Sequence, residues 1–338
     1  MRRALGILTA LVLGVSGGLG WSAEPALKDP PPVVDASPHS SNFIEANGIR
    51  LNYLDWGDNG PPVVMIHGIG DDPHIFDDLA NSLKGRFHLI AYARRGHGHS
   101  DAPAGPYDHT ALVADLKGLL DALAIEKASL IGWSLGGNEI TEFAGTYPDR
   151  VDKLVYLESG YDWSYPAFLN AFVDMLAVNA PAASDVASID AFRDWYHAAW
   201  LGSDTPWSNG MEAYLRDLLR IAPDNSIRVV PSDATYGAIL AEMAKWYRDY
   251  EKVKAPALVF YASSFFPVDR SDPAPSAKLK AFNEEVVAPF RATSMERVSS
   301  ELKRATIKQF PNTTHMGIGI HDPEPLAKDI AAFLSAAH

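Results

Sequence analysis

A serine with a glycine two residues to either side stands at Gly132-Trp133-Ser134-Leu135-Gly136, and Gly137 follows. An apolar run, Lys127 to Ile131, precedes it, and a segment of helical character, Asn138 to Thr146, comes after. This is the spacing of a nucleophile on a sharp strand-to-helix turn. Such a serine takes a strained backbone conformation, so its neighbours two places away must be nearly free of side chain. Its hydroxyl then lies at the positive end of the following helix, where developing negative charge is favoured. The nucleophile needs a base, and His315, in Pro311-Asn312-Thr313-Thr314-His315-Met316, lies five residues beyond the last apolar strand pattern. Of the 11 histidines, His321 directly precedes a helix start at Asp322-Pro323. His67, His97 and His99 sit in glycine-rich turns where a structural role is expected, and His97-x-His99 lacks the further ligands of a metal site. Oxyanion stabilisation needs backbone N–H groups aimed at one point. Leu135, just after the serine, offers one, and Ile69 in His67-Gly68-Ile69-Gly70 offers the other.

These residues can meet only if the chain places them at one edge of a sheet. Phe43–Ala46 and Ile49–Trp56 read as two strands joined by the Asn47-Gly48 turn. Short apolar runs at Pro62–Ile66, His88–Tyr92, Lys127–Ile131, Val151–Leu157, Ala257–Tyr261 and Thr306–Phe310 read as further strands. Ala111–Leu123 has helical spacing, with Leu112, Leu116, Leu119, Leu120 and Leu123 on one side, and Pro323–Ala336 reads as a terminal helix. Strands alternating with helices predict an α/β fold with a mostly parallel sheet covered on both faces. From Tyr161 to Tyr250 the strand pattern disappears. That region reads as helices and loops, and five of the eight tryptophans lie in it. Most of these rings are expected to pack the core. The region as a whole is expected to form a helical lid, because it follows a sheet strand at the carboxyl edge where ligands bind. Trp133 and Trp163 are the expected substrate-contacting rings.

With 338 residues, 47% hydrophobic and 21% charged, the composition is that of an ordinary globular enzyme. The formal net charge of −13 argues against nucleic acid, which needs a basic surface; a small-molecule substrate is the expected partner. The chain has no cysteine, which excludes thiol catalysis, disulfides and cysteine-ligated metals. Arg2-Arg3 and the uncharged run Ala4–Leu19 predict a cleaved signal peptide over 1–23, hence export to the periplasm or medium with no stable membrane anchor after processing. The proline-rich stretch 24–41 reads as a disordered leader. The expected organisation is a core of 42–160 and 251–338 with a cap of 161–250.

Over nearly all of residues 43–337 the chain resembles the α/β-hydrolase superfamily. His67-Gly68 after a strand, Arg95-Gly96-His97-Gly98-His99-Ser100-Asp101, Gly132-Trp133-Ser134-Leu135-Gly136-Gly137 and Thr314-His315-Met316 match its markers in order and spacing. The resemblance implies a Ser–His–acid hydrolase with a helical cap inserted after the sixth strand. The acid departs from the commonest pattern. Most relatives carry an aspartate just beyond the seventh strand of the sheet, where this chain has Phe265. Asp269, further along the same loop, is one candidate. Glu158, at the end of the sixth strand, is the favoured one; its position resembles that of haloalkane dehalogenases whose acid has moved to this strand. A strand end holds an imidazole-orienting group more rigidly than a loop does. Asp162, four residues beyond that strand end, is next in line.

Dehalogenation by such a fold requires a carboxylate nucleophile, and position 134 is serine. Serine with histidine points to acyl transfer, with no metal or organic cofactor needed. The reading is a carboxylic-ester hydrolase acting on a small apolar or aromatic ester. Amide, lactone or carbon–carbon bond hydrolysis, or peroxyacid formation, are the alternatives within enzymes. A ligand-binding protein on a hydrolase scaffold is the alternative outside them.

Overall fold

The structure is a computed structural model that describes residues 27–33, 37–57, 60–268 and 273–337. The expected signal peptide, 1–23, and Asp269 lie outside the described residues. Eight strands form the main sheet: β1 (Ser40–Ala46), β2 (Ile49–Asp55), β3 (Pro62–Ile66), β4 (His88–Tyr92), β5 (Ala128–Trp133), β6 (Val151–Leu157), β9 (Ala257–Ala262) and β10 (Ala305–Phe310), in the order β1-β2-β4-β3-β5-β6-β9-β10. Here β7 (Leu219–Ile221) and β8 (Ile227–Val229) form a separate antiparallel hairpin. Strand β2 pairs antiparallel with β1 and β4, and all later neighbours are parallel. The β1–β2 turn is the expected Asn47-Gly48, both residues at positive φ.

The inner parallel strands β3, β5 and β9 are apolar on both faces because both faces are covered. Val64, Ile66, Leu130, Tyr156 and Val259 belong to one buried cluster. Their neighbours Val63, Met65, Ile131, Val155 and Leu258 belong to another. This is the two-residue alternation of a strand carried through a sheet with two cores, and fully burying each such side chain contributes about 1.5–3 kcal/mol. Helices α2 (His109–Ala122), α3 (Gly136–Thr146) and α9 (Ala288–Glu301) contribute to the first cluster, and α1 (Asp77–Leu83) and α10 (Pro323–Ser335) to the second. Helix α8 (Pro273–Ala281) leads into α9. No helix among the described residues is long and apolar enough to cross a membrane.

Between β6 and β9 the chain leaves the sheet and forms α4 (Pro166–Val178), α5 (Ile189–Tyr196), α6 (Asn209–Asp217), the β7–β8 hairpin and α7 (Asp233–Met243). The hairpin was not legible as strand, because its two three-residue arms are too short to display an alternation. It also corrects the expected disorder of the leader at residues 27–33. Lys28 exchanges backbone hydrogen bonds with Ile221, at 2.9 and 2.7 Å. Arg220 pairs with Asp29 at 3.2 Å, and Arg216 donates to the Pro31 carbonyl at 3.0 Å. The free edge of a hairpin offers unpaired backbone groups, and Lys28 uses it.

Candidate active site

Strand β5 and helix α3 meet at Ser134, which has φ +52°. A left-handed conformation costs a non-glycine residue roughly 1–2 kcal/mol. The turn is held by the Ser134 N–H donating to the Leu157 carbonyl at 3.1 Å. The flanking glycines are there for space. A Cβ on Gly136 would lie 2.2 Å from the Ile66 carbonyl oxygen, and one on Gly132 would lie 2.7 Å from Gly136 itself.

His315 reaches this turn from the loop after β10. Its Nε2 is 3.0 Å from Ser134 Oγ and its Nδ1 is 2.9 Å from Glu158 Oε2. Glu158 ends β6 and is fully buried, at φ +47°. Its other oxygen accepts from Ala262 N–H at 2.6 Å and from the Tyr161 hydroxyl at 3.0 Å. Arg291 in turn donates to Tyr161 Oη at 3.1 Å. A buried carboxylate with three hydrogen-bonding partners is rigidly aimed, and the left-handed backbone turns it away from the strand direction toward the imidazole. Asp162, by contrast, pairs with Arg297 at 3.0 Å and accepts from Ser164. Phe265, at the place where relatives carry the acid, stacks on His315 with ring centres 4.1 Å apart and planes 14° apart. The His315 N–H donates to the Phe265 carbonyl at 3.3 Å. An apolar plate therefore fixes the ring while β6 supplies the charge.

The loop after β3 faces the serine. Neither Ile69 N–H nor Leu135 N–H meets an acceptor among the described residues. Two buried histidines hold this loop in place. His97 Nε2 accepts from Gly70 N–H at 3.2 Å while its Nδ1 meets the Arg95 carbonyl at 3.0 Å. His67 Nε2 accepts from Arg94 N–H at 3.0 Å. Accepting at Nε2 requires the neutral ring. Burial, reinforced by the nearby Arg94, pushes His97 down to about 3, and burial likewise drives His67 well below the ordinary imidazole value. Stability linked to His97 is present above the unfolded value near 6.5 and is lost as pH falls toward 3, because only the unfolded chain takes up the proton. In urea unfolding, the advantage of the native protein over His97→Gln is expected to shrink by about 1.4 kcal/mol per pH unit below 6.5. An advantage that stays constant from pH 7 to 5 would mean that His97 titrates in the folded state.

Ser134 and His315 open onto a cavity of about 220 Å3 lined by ten aromatic side chains, nine of them from 161–250. Trp163 is among them, edge-on to His315 at 5.9 Å. Trp133 is not, which corrects its expected substrate contact. It is fully buried in the other core against Phe76, and its indole N–H donates to the His315 carbonyl at 3.1 Å. Strand alternation is the reason: the residue before the serine points through the sheet. Trp133 therefore supports the histidine loop from beneath. Asp71, Tyr214 and Tyr236 also line the cavity. The sequence reading did not single out Asp71, whose one local signal is its place directly after the Gly68-Ile69-Gly70 loop, and the two tyrosines reach the cavity through long-range packing that leaves no local signal.

Other histidines are engaged elsewhere. His99 pairs with Asp217 at 3.2 Å and His321 lies 3.3 Å from Thr205. His39, His74 and Asp77 have donor atoms within 4.8 Å of one another, the one group with metal-ligand spacing among the described residues. The Asp77 carboxylate lies between the two rings, 2.9 Å from His74 and 3.5 Å from His39.

A family model described as the alpha/beta hydrolase fold matches residues 61–200. With the sheet order and the serine turn described above, the chain belongs to the α/β-hydrolase superfamily. It is similar to the 2-(acetamidomethylene)succinate hydrolase of Mesorhizobium japonicum, 27% identical over 286 residues, which cover 80% of this chain and 94% of that one. The crystal structure of an E-2-(acetamidomethylene)succinate hydrolase matches with a TM-score of 0.69 at 24% identity, covering 88% of this chain and 100% of that one. The enol-lactonase of Burkholderia xenovorans LB400 matches with a TM-score of 0.58 at 22% identity, covering 87% and 100%. Likeness at this level of identity is likeness of fold. An uncharacterized protein of Mycobacterium tuberculosis is 36% identical over 129 residues, so the chain spans 38% of that relative's length.

Proposed function

We propose that the protein is a serine hydrolase of carboxylic esters. The observation that carries this reading is the continuous relay from Ser134 Oγ through both nitrogens of His315 to Glu158, at 3.0 and 2.9 Å. In the proposed cycle Ser134 Oγ attacks the ester carbonyl carbon as His315 Nε2 takes its proton. The carbonyl oxygen becomes an oxyanion and meets the N–H groups of Ile69 and Leu135. The tetrahedral species collapses, the alcohol leaves with the proton from His315, and the acyl group remains on Ser134. Water, deprotonated by the same histidine, then releases the acid. Glu158 holds the tautomer with the proton on Nδ1 and balances the imidazolium. No step calls for a metal or organic cofactor. A chromogenic ester assayed beside the matching anilide separates ester from amide hydrolysis. Turnover of the anilide at a rate equal to or above that of the ester would overturn the assignment.

The segment 161–250 acts in this reading as a lid that shapes the substrate. Aromatic walls bury large apolar area and stack on rings. The expected result is a kcat/KM at least tenfold higher for an aryl or medium-chain ester than for the corresponding acetate of a small polar alcohol. A preference for the small polar ester would count against the lid.

A further inference from the structure

The polar side of the cavity carries a charge that the proposed reaction does not use. Asp71 lines the cavity yet is 6% exposed. One of its oxygens accepts from the Tyr214 hydroxyl at 2.7 Å, and Tyr214 Oη lies 2.8 Å from Tyr196 Oη. Its other oxygen lies 2.5 Å from the point that a Cβ on Gly68 would occupy, and Ser134 Oγ lies 3.5 Å from that same point. The carboxylate and the nucleophile thus face one small volume. Burial raises Asp71 to about 6, opposed by the Tyr214 hydroxyl and by the facing His315, so the group is ionised at pH 8. Within the cavity His315 is the one basic side chain that faces it. Among the described residues that line it there is no lysine or arginine. Arg94, behind the loop, also favours the Asp71 charge, but it is paired with Glu139 at 3.0 Å and does not line the cavity. The remaining walls are aromatic and aliphatic, and Tyr196, Tyr214 and Tyr236 are all close enough to Asp71 to feel its charge.

We infer that Asp71 is a specificity-determining charge filter: the site takes esters that are neutral or cationic near the scissile bond and rejects those that carry a carboxylate there. This rests on the ester-hydrolase reading and narrows it. The expectation separates this chain from a similar protein whose name gives a succinate as substrate. A carboxylate entering the pocket meets Asp71 with no lysine or arginine to receive it, and aromatic faces add no compensation. A quaternary ammonium gains from both the carboxylate and the rings.

The test uses three p-nitrophenyl esters of matched length that end in a tert-butyl group, a trimethylammonium group or a carboxylate, assayed at pH 8. Two like charges about 6 Å apart in an effective dielectric of about 20 repel strongly enough for about a 100-fold effect. The neutral ester is expected to exceed the carboxylate ester by about that factor in kcat/KM, with the cationic ester equal to or above the neutral one. In Asp71→Asn the neutral-to-carboxylate ratio, taken within the variant, is expected to fall at least tenfold. A ratio below about ten in the native protein would overturn the inference. A ratio unchanged in Asp71→Asn would take the role away from Asp71. Failure of the ester-hydrolase reading looks different, as no turnover of any of the three. The inference is then still read from binding. The affinities of Ser134→Ala for the same three compounds, followed by tryptophan fluorescence, must keep the same order, and tightest binding of the carboxylate would overturn it.

Discussion

Replacing Ser134 by alanine is expected to lower ester turnover by roughly four to six orders of magnitude, because the covalent route is lost and only oxyanion and binding contributions remain. The expectation comes from the geometry of the turn. A serine at φ +52°, 3.0 Å from an imidazole nitrogen, at the start of a helix, has one evident use. The substitution removes a single oxygen from a partly exposed position, so the fold should be retained, and circular dichroism with the melting temperature checks that. A fluorophosphonate should label the native protein at Ser134 and leave the variant unlabelled. An adduct mapped to another serine, or a turnover loss under a hundredfold, would exclude Ser134 as the nucleophile.

Glu158→Gln is expected to cost about three to four orders of magnitude in kcat, through the tautomer of His315. Glu158 Oε1 accepts from Ala262 N–H and the Tyr161 hydroxyl, and a glutamine oxygen can keep both bonds. Its amide nitrogen would then face His315 Nδ1, a donor against a donor. The ring responds by moving its proton to Nε2, where it can no longer accept from Ser134. The imidazolium also loses its counter-charge. Asp269→Asn is expected to cost less than tenfold. The opposite ranking of the two variants would move the acid to the loop after β9. Small losses in both would point to a serine–histidine dyad.

Much of this molecule was legible in its sequence. Strands β3, β4 and β6 have the bounds that their apolar runs predict, because a parallel strand buried on both faces is mostly apolar, and that shows without any partner. The serine turn was equally plain, since its two glycines stand within five residues, Gly132 clearing the turn itself and Gly136 clearing the Ile66 carbonyl of the neighbouring strand. Position in the chain also singled out His315, whose loop must emerge at the same sheet edge as the serine.

Tertiary structure alone decided the rest, wherever the contact is between residues distant in sequence. That Glu158 points at His315 depends on a left-handed residue at a strand end and on a hydrogen bond from β9, 104 residues away. That Phe265 faces the imidazole with a ring and Trp133 turns beneath the sheet follows from stacking and strand alternation. The meeting of Asp71 with Tyr214, 143 residues apart, follows from how α6 lies over the serine edge. Local propensity encodes which element forms. Which side chains converge in a cavity is set by the packing of those elements, and that is a property of the whole chain.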